Sequence, residues 1–141
     1  MITMTKKKDA SVVENFVRRV LGCGCPEEVF RSVDRRRDVV IDEGLVVLER
    51  INVGNRLLIY VVEADETAFL DRHLGRLVAS GRDERDRNGF NRFRLVIATG
   101  RPEEMEDIAR KIFEGLESRD ERVHLHMIPK SEMLPLLSTA P

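Results

Sequence analysis

The chain predicts an α/β domain built on a mixed sheet of about four strands, an antiparallel hairpin plus parallel crossover strands, flanked by helices in the order α-α-β-β-α-β-α-β. Three observations carry this reading. Leu57 to Val62 and Phe93 to Ala98 are nearly continuous apolar runs, as expected of strands covered on both faces. The segments that follow them space their apolar residues for helices. Those helices, at ~15 residues each, are long enough for parallel crossovers.

The elements follow in order. Val12, Val13, Phe16, Val17, Val20 and Leu21 form one stripe of an amphipathic helix opening near Asp9 or Ser11, and Gly22 ends it. Pro26-Glu27-Glu28 places proline and two acids at the start of a short second helix that buries Val29, Phe30 and Val33. Asp34 to Asp38 is charged and expected to be exposed, and Val39 to Ile41 is a short strand turning at Asp42-Glu43-Gly44. Leu45 to Val53 is a strand, and Gly54-Asn55 is a hairpin turn. The next strand, Leu57 to Val62, is expected to be central. Glu66 to about Ser80 is helical through Phe69, Leu70, Leu74, Leu77 and Val78, ending near Gly81. Pro102 opens a helix carrying Met105, Ile108, Ala109, Ile112, Phe113 and Leu116. Val123 to Ile128 alternates strictly and reads as an edge strand. The two long helices share one face of the sheet if the strands lie in sequence order, and the amino-terminal helices or a partner subunit cover the other.

At 141 residues and 16.2 kDa the chain is one domain over residues 1–141, with 1–8 as a flexible tail. It is 42% hydrophobic, with no apolar run near the ~20 residues of a membrane span. Its net charge of −1 provides no overall field for nucleic acid, and no secretory signal is legible. The expected setting is cytoplasmic, with neither nucleic acid nor membrane as partner. Arginine outnumbers lysine 19 to 5, which reflects genome bias or heat tolerance rather than function.

Four places hold chemistry. Cys23-Gly24-Cys25 ahead of a helix offers a lowered thiol pKa. It reads as a redox pair, whose short ring should be oxidising, as half of a zinc or iron-sulfur site, or as two small residues packed at a helix junction. His124 and His126 leave one face of a strand and have the spacing to complete a tetrahedral site, or simply to sit on an exposed edge. Glu63, Asp65, Thr99, Gly100 and Arg101 lie at the carboxyl ends of parallel strands, where open sheets bind ligands, although Asp65 and Thr99 are also ordinary helix caps. His73 lies beside Leu70, Leu74 and Leu77 and reads as a boundary residue.

Arg82 to Arg94 is dense in charge but contains Asp83, Glu84 and Asp86, and it is expected to be a salt-bridged loop anchored by Phe90. It lacks the aromatic pattern of an RNA-binding strand. No phosphate loop, nucleophile elbow or zinc-protease motif is present, and Glu63-Ala64-Asp65 lacks the lysine of a nuclease Asp/Glu-x-Lys signature. The function expected is a ligand- or protein-binding module, homodimeric through its edge strand. The alternative is a metal-binding or thiol-redox protein built on Cys23 and Cys25.

Overall fold

The computed structural model describes residues 10–138, and the expected tail at 1–8 lies outside them. A helix, α1, runs over residues 10–20, its last turn widening to a π-helix at Phe16–Val20. Gly22 leaves it at φ +70, where glycine carries no Cβ penalty. A single 3-10 turn, Glu27–Arg31, precedes the strands. Five strands follow: β1 (Val33–Asp42), β2 (Leu45–Val53), β3 (Leu57–Glu63), β4 (Arg92–Thr99) and β5 (Val123–Pro129). Helix α2 (Thr67–Asn88) joins β3 to β4, α3 (Pro102–Glu114) joins β4 to β5, and α4 (Lys130–Leu137) closes the described chain.

The strands lie in sequence order, β1 to β5. The first two pairings are antiparallel and the last two parallel, so the expected mixed sheet is present with β3 at its centre. Between β2 and β3 the turn places Gly54 at φ +60 and Asn55 at φ +56, both positive as a type I′ hairpin requires. A side chain on Gly54 would also collide with Val29, since its Cβ would lie 2.6 Å from the Val29 carbonyl oxygen. Gly54 N–H donates to the Ser32 carbonyl, so the turn seats the 3-10 segment against the sheet.

Each face of the sheet has its own core. On one face Leu58, Tyr60, Phe93, Leu95, Ile97 and Leu125 pack against Leu70, Leu74, Leu77 and Met105 of α2 and α3. On the other, Ile51, Ile59, Val61, Val96 and Ile128 meet Val13, Phe16 and Val17 of α1, Phe30, and Met133 and Leu136 of α4. The chain therefore covers both faces itself, the second one jointly from its two ends.

Four expectations need correction. The sheet has five strands, because Asp34 to Asp38 belongs to a ten-residue β1. The charges there are compatible with an edge strand, and Arg35 turns inward to a buried partner, Glu49, across the β1–β2 ladder. Pro26 stands outside the 3-10 turn in extended conformation, and Val33 opens β1. Helix α2 does not stop at Gly81 but continues through Arg82 to Asn88, with Gly89 in the left-handed region as its cap. Gly81 sits in its interior because Phe93 fills the space a side chain would take. The charged segment is thus largely helix. Arg85 there is buried and donates to Asp120 at 2.9 and 2.6 Å, while Phe90 anchors the chain after it, as expected. Finally, α4 has no counterpart in the sequence reading. No helix of the described residues is long and apolar enough to cross a membrane.

Arg85 and Asp120 also fix one acid-sensitive tie between α2 and the approach to β5. The Arg85 guanidinium is the main cause holding the Asp120 carboxyl down at about 2. A carboxylate depressed in the folded state stabilises above its unfolded pKa and loses that contribution as pH falls through the folded one. Arg85→Gln is therefore expected to lower stability at pH 7 and to flatten the acid loss between about pH 4 and 2. Urea titrations at successive pH values would read this, and a parallel wild-type and variant pH dependence would refute it.

Candidate functional site

The segment from Gly22 to Pro26 crosses the face of the sheet that α1 covers, beyond the end of that helix. It forms one wall of a cleft of about 460 Å³. Val29, Val53 and Leu57 supply its apolar surface, and Arg56, Asn91, Arg92 and Arg94 line the rest. The chain leaves α1 at Gly22, is pinned at Cys23, whose N–H donates to the Val17 carbonyl at 3.0 Å, and is next held at the 3-10 segment against Gly54, which leaves the cleft between these two ties.

Cys23 and Cys25 are bonded to each other, with Cα atoms 5.6 Å apart, within the range a disulfide spans. Both line the cleft, and both are half-buried on the margin of the α1-side core. The helix amino terminus expected to favour their thiolates is only a five-residue 3-10 turn. Positive charge comes instead from Arg56, Arg92 and Arg94, which share the cleft with the sulfurs, and nearby arginine favours the thiolate.

Arg92 and Arg94 alternate along β4, so both point to the α1 side of the sheet while Phe93 and Leu95 enter the opposite core. On β5 the same alternation puts His124 and His126 beside them. Arg92 Nη1 lies 2.9 Å from His124 Nε2, and Arg94 Nη1 lies 2.8 Å from His126 Nε2. A guanidinium only donates, so each Nε2 accepts and the proton of each neutral imidazole sits on Nδ1. Burial, then Arg94, His124 and Arg110, holds His126 down at about 4. His124 is also lowered, by burial and then by Arg94 and Arg92.

This arrangement gives a pH signature. Unfolded chains take up a proton on His126 near its ordinary 6.5, whereas the folded protein does so only near 4. Stability is therefore expected to fall as pH drops through that interval, because the unfolded state binds more protons. His126→Gln should flatten the slope there, read by denaturant midpoints at several pH values. An unchanged slope would refute the assignment.

The histidines are thus held by arginines rather than presented to Cys23 and Cys25. Among the described residues no group of three or more His, Cys, Asp or Glu side chains is gathered to hold a metal. A zinc or iron-sulfur site on the two cysteines would have to draw its remaining ligands from outside the described residues or from another chain.

The carboxyl-end cluster is assembled, but on itself. Asp65 Oδ1 accepts from the Gly100 N–H at 2.7 Å and the Thr99 hydroxyl at 3.2 Å, and its Oδ2 pairs with Lys130 at 2.5 Å. The Arg101 N–H donates to Thr99 Oγ1, and the Arg101 side chain donates to the Asp65 carbonyl and to Glu104. These bonds tie the ends of β3 and β4 to α4. Glu63 is exposed at the end of β3 and borders a shallow hollow with Phe69 and Val46. His73 packs on Phe69 at 4.9 Å between ring centroids, and its Nδ1 accepts from Arg76, the contacts of a boundary residue.

Sequence reasoning missed Arg56 and Arg94 as site residues. The available signal was the pair of arginines two apart in an apolar strand, in register with histidines two apart on the next. No family model matches the chain, and no curated protein or solved structure matches it.

Proposed function

We propose that the chain is a cytoplasmic thiol–disulfide exchange module in which Cys23 and Cys25 cycle between dithiol and disulfide at the wall of the cleft. The observation that supports this reading is the direct bond between the two cysteines at a surface that an outside sulfur can reach. Exchange proceeds by attack of a thiolate on a disulfide sulfur, so access and positive charge are its two requirements. A binding-only module at Glu63, Asp65, Thr99, Gly100 and Arg101 has less support, since most of those polar groups bond to one another.

The test is a thiol count combined with elemental analysis of anaerobically purified protein. Reduced protein is expected to show two rapidly alkylated thiols, and protein equilibrated with an oxidising glutathione buffer none, without stoichiometric metal. Thiols that stay slow to alkylate in the folded, reduced chain would return Cys23 and Cys25 to packing residues. Zinc or iron at half an equivalent per chain, lost in Cys23→Ser, would favour a metal centre shared by two copies.

A homodimer is proposed on the edge strand β5, which among the described residues pairs only with β4. Light scattering showing a monomer at micromolar concentration would remove it. Nucleic acid is left out of the proposal because Arg85 is already paired and the rest of the helical run is net acidic, with Asp83, Glu84 and Asp86 against Arg82 and Arg87. Binding to single-stranded RNA is expected to be no tighter than the non-specific ~10⁻⁴–10⁻⁶ M at physiological salt. Nanomolar affinity that falls on Arg87→Ala or Arg92→Ala would overturn this.

A further inference from the structure

The cleft beside the cysteines carries more positive charge than the fold uses. Elsewhere, arginines drawn inward have carboxylates: Arg35 has Glu49, Arg50 has Glu84, and Arg85 has Asp120. Arg56, Arg92 and Arg94 have no carboxylate partner among the described residues, and no acidic side chain lines the cleft. Arg94 is half-buried, its Nε is shut off from solvent with no partner, and its Nη1 reaches only the neutral His126. A guanidinium withdrawn from water without a counter-charge is costly unless something supplies one. The fold leaves room for that counter-charge directly beside Cys23 and Cys25, in a volume sized for a small molecule.

We infer that Arg56, Arg92 and Arg94 anchor the carboxylate of a small acidic thiol, which then exchanges with the Cys23–Cys25 disulfide. This inference rests on the thiol–disulfide reading above and names its substrate class. The thiolate of the anchored molecule attacks one sulfur of the disulfide. A new S–S bond joins substrate to that cysteine, the Cys–Cys bond breaks, and the other cysteine leaves with the electron pair as a thiolate. A second substrate thiolate attacks the substrate sulfur of this mixed disulfide, releasing a symmetrical small disulfide and the second cysteine thiolate. Two small thiols are oxidised, one protein disulfide is reduced, and the two protons lost by the small thiols balance those the cysteines take up. Arginine suits the anchoring role because its planar fork meets a carboxylate with two parallel hydrogen bonds.

The experiment uses the oxidised 141-residue chain and three thiols of similar size and different charge: 3-mercaptopropionate, 2-mercaptoethanol and cysteamine. Rates of disulfide reduction, followed by acid quench and mass spectrometry, are compared per thiolate. The anionic thiol is expected to exceed the neutral one by about tenfold or more, the factor that 1.4 kcal/mol of added interaction gives, and the cationic thiol to be slowest. The ratio of anionic to neutral rates should fall toward one in Arg94→Gln, in Arg56→Gln on the exposed turn, and in 1 M salt. Arg72→Gln, on the outer surface of α2, should leave it unchanged. A readout independent of chemistry is the binding of unreactive 3,3′-thiodipropionate to the Cys23→Ser/Cys25→Ser chain, expected to be lost on adding Arg94→Gln. Exchange with all three thiols at one rate per thiolate, and no binding of the dicarboxylate, would leave the redox reading standing and overturn the anchoring. Exchange with none of them would overturn the redox reading and this inference with it.

Discussion

Arg35→Ala is expected to lower the unfolding free energy by about 3–5 kcal/mol, the cost of breaking a buried ion pair from one side. Arg35 Nε donates to Glu49 Oε1 at 2.8 Å, and both side chains are 0% exposed. Removing the guanidinium leaves a carboxylate on β2 with only the more distant Arg37, 3.8 Å from its Oε2. Surface pairs such as Arg110 with Glu106 are worth at most about 1 kcal/mol, so the effect should stand apart from them. The loss also extends beyond the pair. Arg35 Nη2 donates to the Leu136 carbonyl at 3.0 Å, and Arg37 donates to the Leu137 carbonyl, so two arginines of β1 hold the last turn of α4. Amide exchange in α4 is therefore expected to quicken in the variant. Arg35→Met combined with Glu49→Leu removes both charges together, and it should recover most of the stability measured by urea unfolding. If the single substitution costs less than about 1 kcal/mol, the carboxylate is being solvated and the buried pair does not organise this corner.

That pair also shows where sequence reasoning runs out. The central strands, the Gly54-Asn55 turn and helix α3 were legible because their local pattern and tertiary environment agree. Strand β1 was only partly legible. Four of the five residues from Asp34 to Asp38 are exposed or half-exposed edge positions, and nothing local distinguishes Arg35 from its neighbours. Its inward position depends on Glu49, fourteen residues away. Helix α4 was missed because Pro135 interrupts a short segment whose helical character comes from docking Met133 and Leu136 on the sheet. At the site, the cysteines were visible as a motif. The arginines were not, because Arg56 comes from a turn and Arg94 from a strand otherwise read as core. Only the parallel register of β4 with β5, which a single sequence does not fix, joins Arg92 and Arg94 to His124 and His126.

Gly81→Val is expected to cost near or above the upper end of the ~1–3 kcal/mol typical of overpacked cores. Glycine inside a helix is ordinarily unfavourable by roughly 1 kcal/mol relative to alanine, and on sequence alone Gly81 reads as a helix end. Packing reverses that reading. A Cβ at Gly81 would lie 2.1 Å from Cζ and 2.2 Å from Cε2 of the Phe93 ring. The ring has little freedom to yield, since Phe93 is fully buried on β4 and meets Tyr60 edge-on at 4.9 Å between centroids. Glycine therefore lets α2 approach the sheet closely enough to continue past this point, bringing Arg85 to Asp120 and Glu84 to Tyr60 and Arg50. Valine must push α2 outward or force Phe93 off its rotamer, and either movement loosens those contacts. Phe93→Leu in the same chain opens space where the ring stood, so the double variant is expected to be more stable than the sum of the two single effects predicts. Contacting residues show coupling of about 0.5–3 kcal/mol in such cycles. Denaturant unfolding of the four chains measures the coupling. Strict additivity would mean that Phe93 does not set the approach of α2, and that the length of this helix has another cause.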